Sequence, residues 1–334
     1  MRARRRFDIA TIRRELIAWY SRHKRDLPWR RTKDPYRIWV SEIMLQQTRV
    51  AAVIPYYERF LELFPDPAAL AGAREQDLLG AWAGLGYYSR ARNLQKAALA
   101  IVELAHFPSD YAALRQLPGI GDYTAAAVAS IAFDRPHAVL DGNVLRVLSR
   151  LSAERGNIKT QTVRSTLNDL AQDLLDPKRP GEFNQAVMEL GATVCLPKQP
   201  LCGECPLQRH CQARRDGIEA QLPLNGVRPT ASRRDLHLLL IERQGKILLT
   251  QRPAHSKRLA GFWELPKRDE LPDASPGPAL AEFRHTIVHT TYSVQVYRAS
   301  IRRAPDQFEW LGEAALQNFP LSTIARKALA RIAK

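Results

Sequence analysis

Residues 117–125 read L-P-G-I-G-D-Y-T-A. Two glycines one residue apart permit a tight turn with positive φ. Their N–H groups face outward, with no side chain in the way, beside a helix expected to begin near Thr124. Outward N–H groups at a helix N-terminus attract anions. Helical stretches over 110–116 and 122–133 flank the turn. An ordinary turn between two helices would also use glycine, so these residues alone leave both readings open.

Working outward, apolar spacing predicts helices over 8–20, 75–83, 89–105, 110–116, 122–133, 143–151, 161–175 and 183–193. A long helix is expected from Ser41, with Val50, Val53, Ile54, Tyr57, Leu61 and Phe64 on one face and a kink at Pro55. No alternating strand is expected before residue 230. Beyond it the pattern changes. Residues 236–243 and 246–251 read as strands around Gln244-Gly245, and 291–301 alternates as a further strand. The Pro, Gly and Asn of 221–230 suit a connection. The expected organisation is an all-α domain over 6–225, a linker over 226–232 and an α+β domain over 233–334.

Composition sets the bounds. The 334 residues are 45% hydrophobic and 25% charged, ordinary for packed domains, with a net charge of +16. Such an excess of Lys and Arg favours a polyanionic partner. No apolar run reaches the length of a membrane span. The start, M-R-A-R-R-R-F-D-I-A, has basic residues without an apolar stretch behind them, so a cytoplasmic protein without membrane partners is expected.

All four cysteines fall within residues 195–211, C-L-P-K-Q-P-L-C-G-E-C-P-L-Q-R-H-C. Clustered thiolates in a reducing compartment indicate a metal site rather than disulfides. Zinc and a four-iron cluster both use C-x2-C. A single knuckle with outer cysteines six and five residues away favours one compact cluster.

The spacing C-x6-C-x2-C-x5-C resembles the iron–sulfur loop of the endonuclease III superfamily of DNA base-excision glycosylases, and L-P-G-I-G resembles its helix-hairpin-helix motif. The resemblance implies one [4Fe–4S] cluster on Cys195, Cys202, Cys205 and Cys211, and a hairpin holding a DNA phosphate at Gly119 and Gly121. Lys198, Arg209 and His210 would be further phosphate contacts.

Four segments narrow the resemblance to the adenine DNA glycosylases: S-E-I-M-L-Q-Q-T at 41–48, G-L-G-Y-Y-S-R-A-R-N-L at 84–94, D-G-N-V at 141–144 and N-Q-A-V-M-E-L-G-A at 184–192. Glu42 then matches the proton donor and Asp141 the carboxylate that stabilises the sugar cation. By themselves the two acids also read as helix-terminus residues. Tyr123 and Asn143 match residues around Asp141 and the attacking water. Tyr123 stands where relatives that also cleave the strand carry a nucleophilic lysine, so a monofunctional enzyme is expected. Gln47 and Tyr87 match the duplex wedge, with Leu45 and Thr48 beside it. Trp29, Arg30 and Glu189 match the adenine pocket. The expected partner is duplex DNA with adenine opposite 8-oxoguanine or guanine, bound by a monomer. A non-catalytic iron–sulfur DNA-binding protein and a pyrimidine-specific relative are the alternatives.

The C-terminal domain resembles Nudix modules at 249–253, 261–266 and 283–289, L-T-Q-R-P, G-F-W-E-L-P and F-R-H-T-I-V-H. The glutamate-rich magnesium helix is missing. After Pro266 the chain reads K-R-D-E-L-P-D-A-S-P-G-P, whose prolines forbid such a helix. The lesion-reading Phe-Ser-His of the family is here Ile287-Val288-His289, leaving His289 as the match and Thr286 or Thr290 as substitute hydroxyls.

Overall fold

The computed structural model describes residues 7–226, 232–253, 256, 259–287, 289–312, 316 and 319–332. The chain divides into two compact units, residues 1–72 with 92–228, and residues 73–91 with 229–334. Residues 73–91, expected in the first domain, therefore group with the C-terminal unit. Tyr88 shows why: it is buried, and its ring centroid lies 3.9 Å from that of Phe262.

The first unit is helical. Asp8 caps α1 (Ile9–His23) by accepting from Thr11 N at 3.1 Å, and Ile12, Leu16, Ile17, Trp19 and Tyr20 form its buried stripe. The helix expected from Ser41 is instead two helices, α2 (Pro35–Leu45) and α3 (Val50–Leu63). Asp34 caps α2 and Pro35 occupies its first turn, where proline lacks nothing. Gln47 takes the left-handed conformation, φ +58°, which ends one helix before the next. Ser41 is thus buried inside α2, its hydroxyl donating to Ile38 O at 2.7 Å, and caps nothing.

Next in the unit come α4 (Pro67–Ala71) and, after α5 (Glu75–Trp82) of the second unit, most of α6 (Ser89–Glu103) and α7 (Tyr111–Gln116). The centre of the unit is α8 (Asp122–Phe133), whose residues Thr124–Ile131 are all buried. A helix apolar on every side belongs in a core, and its alanines let α2 and α11 (Pro180–Thr193) approach from both sides. In chain order α9 (Gly142–Ser152) and α10 (Gln161–Leu174) lie between α8 and α11, and α9 packs against α11. Gly191 sets the contact of α11 with α9: a Cβ there would lie 2.6 Å from Asn143 Cβ. The cysteine loop leads to α12 (Gln212–Arg215).

The second unit is a mixed sheet. β1 (Ser232–Arg243) and β2 (Lys246–Gln251) form the expected hairpin, with Gln244 and Gly245 both at positive φ. β3 (Trp263–Glu264), β4 (Ser275–Ile287), β5 (Thr290–Ser300) and β6 (Phe308–Gly312) complete it. The order is β3-β2-β1-β5-β4, with β6 on β2 and the β1–β5 pair parallel. The run L-L-L-I in β1 is continuous because both faces are covered. Leu238 and Leu240 join Trp263, Phe283 and the C-terminal helix Thr323–Ile332, while Leu239 and Ile241 join Leu271 and Phe308. After Pro266 there is one 3-10 turn, Arg268–Glu270, and then β4, bulged between Pro276 and Ala281. Pro272 thus falls in a turn, and Pro276 and Pro278 in a strand, where a magnesium-binding helix would stand.

Candidate active site

The site opens between α2, α8, α9 and α11 as a cavity of about 540 Å³. It brings together Glu42, Tyr123, Asp141, Asn143, Trp29 and Glu189, residues spread over 160 positions of sequence. Leu45, at the end of α2, lines it as well, with Gln47 and Thr48 from the turn before α3.

Glu42 lies in the last turn of α2, not in its first as expected from a Ser41 cap. It is buried, and burial pushes its carboxyl up to about 7, with Asp141 adding to the effect while Tyr123 and Arg30 oppose it. The negative end of the helix dipole acts in the same sense. The Tyr123 hydroxyl donates to Glu42 Oε2 at 2.6 Å and also reaches Met188 Sδ at 3.4 Å. Burial beside this carboxylate holds the Tyr123 phenol well above its ordinary range, so it serves as a donor.

Asp141 is the N-cap of α9 as well as a cavity residue. Its Oδ1 accepts from Val144 N at 2.7 Å, and its Oδ2 from Asn143 Nδ2 at 3.1 Å. These bonds favour its charged form, yet burial outweighs them and the net shift is upward. The hydrogen bonds thus act toward ionisation without outweighing burial. The two acids still differ in setting: Asp141 sits at the positive end of a helix and Glu42 at the negative end of another.

Glu189 is fully buried and held by cations. Arg25 donates Nε to Oε1 and Nη2 to Oε2, both at 2.7 Å, and Arg30 Nη2 reaches Oε2 at 2.7 Å. Hydrogen bonds from Arg25 and Arg30 bring Glu189 down to about 2, overcoming the effect of burial. Trp29 is buried edge-on against Tyr57, centroids 5.3 Å apart. Arg25 and Met188 were missed in the sequence. A buried glutamate implies cations, and Arg25 two residues before L-P-W-R was available to supply one.

In the hairpin only Gly119 takes positive φ, +76°; Gly121 is at −89° and serves as N-cap of α8, which begins at Asp122 as the stretch 122–133 predicts. Gly119 packs against α6: a Cβ there would come within 2.6 Å of Asn93 Cβ. Gly121 offers no capping side chain, so the first N–H groups of α8 are open to a ligand.

The four cysteines line one cavity together with Arg150 and Glu219, and all are free thiols. Among the described residues, no three His, Cys, Asp or Glu side chains converge as a single metal ion needs. Two buried arginines of α9 hold the loop, and neither was singled out from sequence. Arg150 donates to Cys195 Sγ at 3.3 Å, Leu196 O at 2.7 Å and Leu222 O at 2.9 Å. Arg146 joins Asn143 Oδ1 at 2.8 Å to Cys195 O at 2.8 Å. Lys198 and Arg209 are exposed, whereas His210, expected on phosphate, pairs with Glu15 at 3.0 Å.

Tyr87 belongs to the second unit, 49% exposed and strained at φ +49°, with Arg90 5.7 Å from its ring. His289 is exposed in the β4–β5 turn, and its carbonyl accepts from Ser232 N at 2.9 Å. Val288 lies outside the described residues. The substitute hydroxyls are already paired, Thr286 with Thr291 at 3.0 Å and Thr290 with Ser232 at 2.9 Å.

Residues 40–173 match the HhH-GPD superfamily of base excision DNA repair proteins, and residues 237–331 match the NUDIX domain family. The adenine DNA glycosylase of Rattus norvegicus is 38% identical over 96% of this chain and 77% of its own. That of Homo sapiens is 37% identical over 96% and 73%. Among solved structures, a thermostable thymine-DNA glycosylase superposes on 62% of this chain and 97% of its own, with TM-score 0.57 and 27% identity. An endonuclease III–DNA complex, at TM-score 0.54 and 22% identity, covers 63% and 96% and shares the fold. The fold alone is therefore common to enzymes acting on different bases, while the relatives matched over nearly the whole chain, both units included, place it: this protein belongs to the adenine DNA glycosylases.

Proposed function

We propose that this glycosylase removes adenine paired with 8-oxoguanine or guanine in duplex DNA, without cutting the strand. The observation that carries the reading is the pairing of Glu42 and Asp141 in one cavity, on opposite kinds of helix terminus. The base must leave the stack to enter. Glu42, at about 7, holds its proton on a fraction of molecules at neutral pH and delivers it to N7 of adenine. The N9–C1′ bond then breaks, and its electron pair leaves with the protonated base. Asp141 faces the cationic sugar, as a carboxylate does in glycoside hydrolysis. Water adds to C1′ and its released proton returns to the carboxylates.

Among the described residues no lysine lines the cavity, and Tyr123 is engaged with Glu42. Both favour hydrolysis without a Schiff base. Trp29 and the Glu189–Arg30 pair supply an apolar wall and a polar edge for the base, and Gln47 and Tyr87 are the exposed wedge candidates.

The cysteines suit a [4Fe–4S] cluster better than zinc. Zinc would need its four sulfurs about 2.3 Å from one point. In a four-iron cluster each thiolate meets a different iron, so the sulfurs stand apart around a shared cavity. Bound, the cluster would supply a redox-capable cross-link of residues 195–211, with Arg150 donating to Cys195.

The test is single-turnover reaction of an adenine:8-oxoguanine duplex, resolved before and after alkali. Breaks that need alkali support the reading. Breaks without alkali refute the monofunctional mechanism, and release of thymine instead of adenine refutes the substrate.

A further inference from the structure

The hairpin carries a charge arrangement that base removal does not use. Asp122 is the first residue of α8, at the helix end whose open N–H groups favour an anion. A carboxylate there competes with DNA for the same field. It is held on two sides: Tyr111 Oη donates to Asp122 Oδ1 at 2.9 Å, and Arg115 Nε lies 2.5 Å from the same oxygen. Arg115 also donates Nη1 to Ile120 O at 3.3 Å, so its guanidinium lies along the hairpin. Tyr111 is itself fixed by stacking on His137, centroids 4.7 Å apart. The ion pair is open to solvent, with side-chain exposures of 40% for Arg115 and 78% for Asp122. Next to it, a Cβ on Gly121 would meet nothing within 4 Å.

We propose that Asp122 is a resident anion that restrains the grip of the hairpin on the DNA backbone, and that Arg115 exchanges Asp122 for a phosphate when duplex binds. An exposed pair is held weakly, so the exchange is cheap. The planar fork of a guanidinium suits a phosphate at least as well as a carboxylate. The consequence is restrained affinity for undamaged DNA, where backbone contacts supply nearly all of the binding.

The inference rests on the reading of the hairpin as a backbone contact, and the experiment separates the two. Fluorescence anisotropy of the full chain on an undamaged duplex is followed across a salt series. Asp122→Asn tightens binding about five-fold. Arg115→Met weakens it about five-fold and reduces the slope of log K against log salt by about 0.9. Tyr111→Phe, which keeps both charges, leaves that slope unchanged. Asp122→Ser, a good residue at a helix start, repeats the test if Asn perturbs the melting curve. Gly121→Glu is the control, since it adds a second anion to the hairpin. If it weakens binding while neither Asp122 variant tightens it, the restraint is refuted and the hairpin reading stands. An unchanged slope in Arg115→Met refutes the exchange. If Gly121→Glu and the other variants all bind as the parent does, the hairpin does not face DNA and both readings fall.

Discussion

Glu42→Gln separates catalysis from stability in one substitution. The buried carboxyl titrates at about 7 against an ordinary 4.5, chiefly because burial penalises its charge. A folded-state value above the unfolded one means that the native state binds the proton more tightly. The stability this gives is fully present below pH 4.5 and is lost as pH rises through 7. At pH 8 a carboxyl at about 7 in place of 4.5 corresponds to roughly 3 kcal/mol of destabilisation by the native glutamate. At pH 5 the same linkage leaves under about 1 kcal/mol. Glutamine keeps the shape and an acceptor for the Tyr123 hydroxyl, 2.6 Å away, and carries no charge. The variant is therefore expected to be more stable than the parent by about 3 kcal/mol at pH 8 and by under about 1 kcal/mol at pH 5, while adenine release falls by at least about two orders of magnitude. Urea unfolding at the two pH values and single-turnover base release measure these quantities. An equal stability gain at both pH values refutes the assigned ionisation, and retained base release refutes Glu42 as the proton donor.

Three further outcomes are expected. Tyr123→Phe removes a hydrogen bond that favours ionised Glu42, so the alkaline limb of the pH–rate profile moves up by about one unit; a downward shift contradicts this. Glu189→Gln leaves Arg25 and Arg30 facing a neutral partner and costs about 3–5 kcal/mol in urea unfolding at pH 7. Because Glu189 is lowered to about 2, its contribution is present above pH 4.5 and is lost as pH falls toward 2, so the cost shrinks at pH 3. Arg150→Leu removes the donors that hold residues 195–197 and 222, and is expected to lower iron content and the visible absorbance of purified protein; full absorbance in the variant contradicts that role.

Much of the fold was readable from local features. The change from helical to alternating pattern near residue 230, the Gln244-Gly245 hairpin and the proline-broken segment after Pro266 depend on neighbours in sequence, and the structure has all three. The helix over 122–133 appears with those bounds because its run of small apolar residues is bracketed by Gly121 and Asp134, the latter at φ +52°. The helix start placed at Ser41 failed for a local reason too: Asp34-Pro35 is the stronger start signal, and Gln47 in the left-handed region is invisible in composition.

What sequence alone determined was the inventory: four clustered thiols, two acids, a glycine hairpin and a second domain without a magnesium helix. Tertiary structure decided the setting of each acid. Glu42 and Asp141 are both helix-terminus residues by pattern, and only the packing of α2 and α11 against α8, and of α9 against α11, put them in one cavity. Desolvation depends on the atoms packed around a group and not on its neighbours along the chain. That is why the same packing raises Glu42 to about 7 while Arg25 and Arg30 bring Glu189 to about 2.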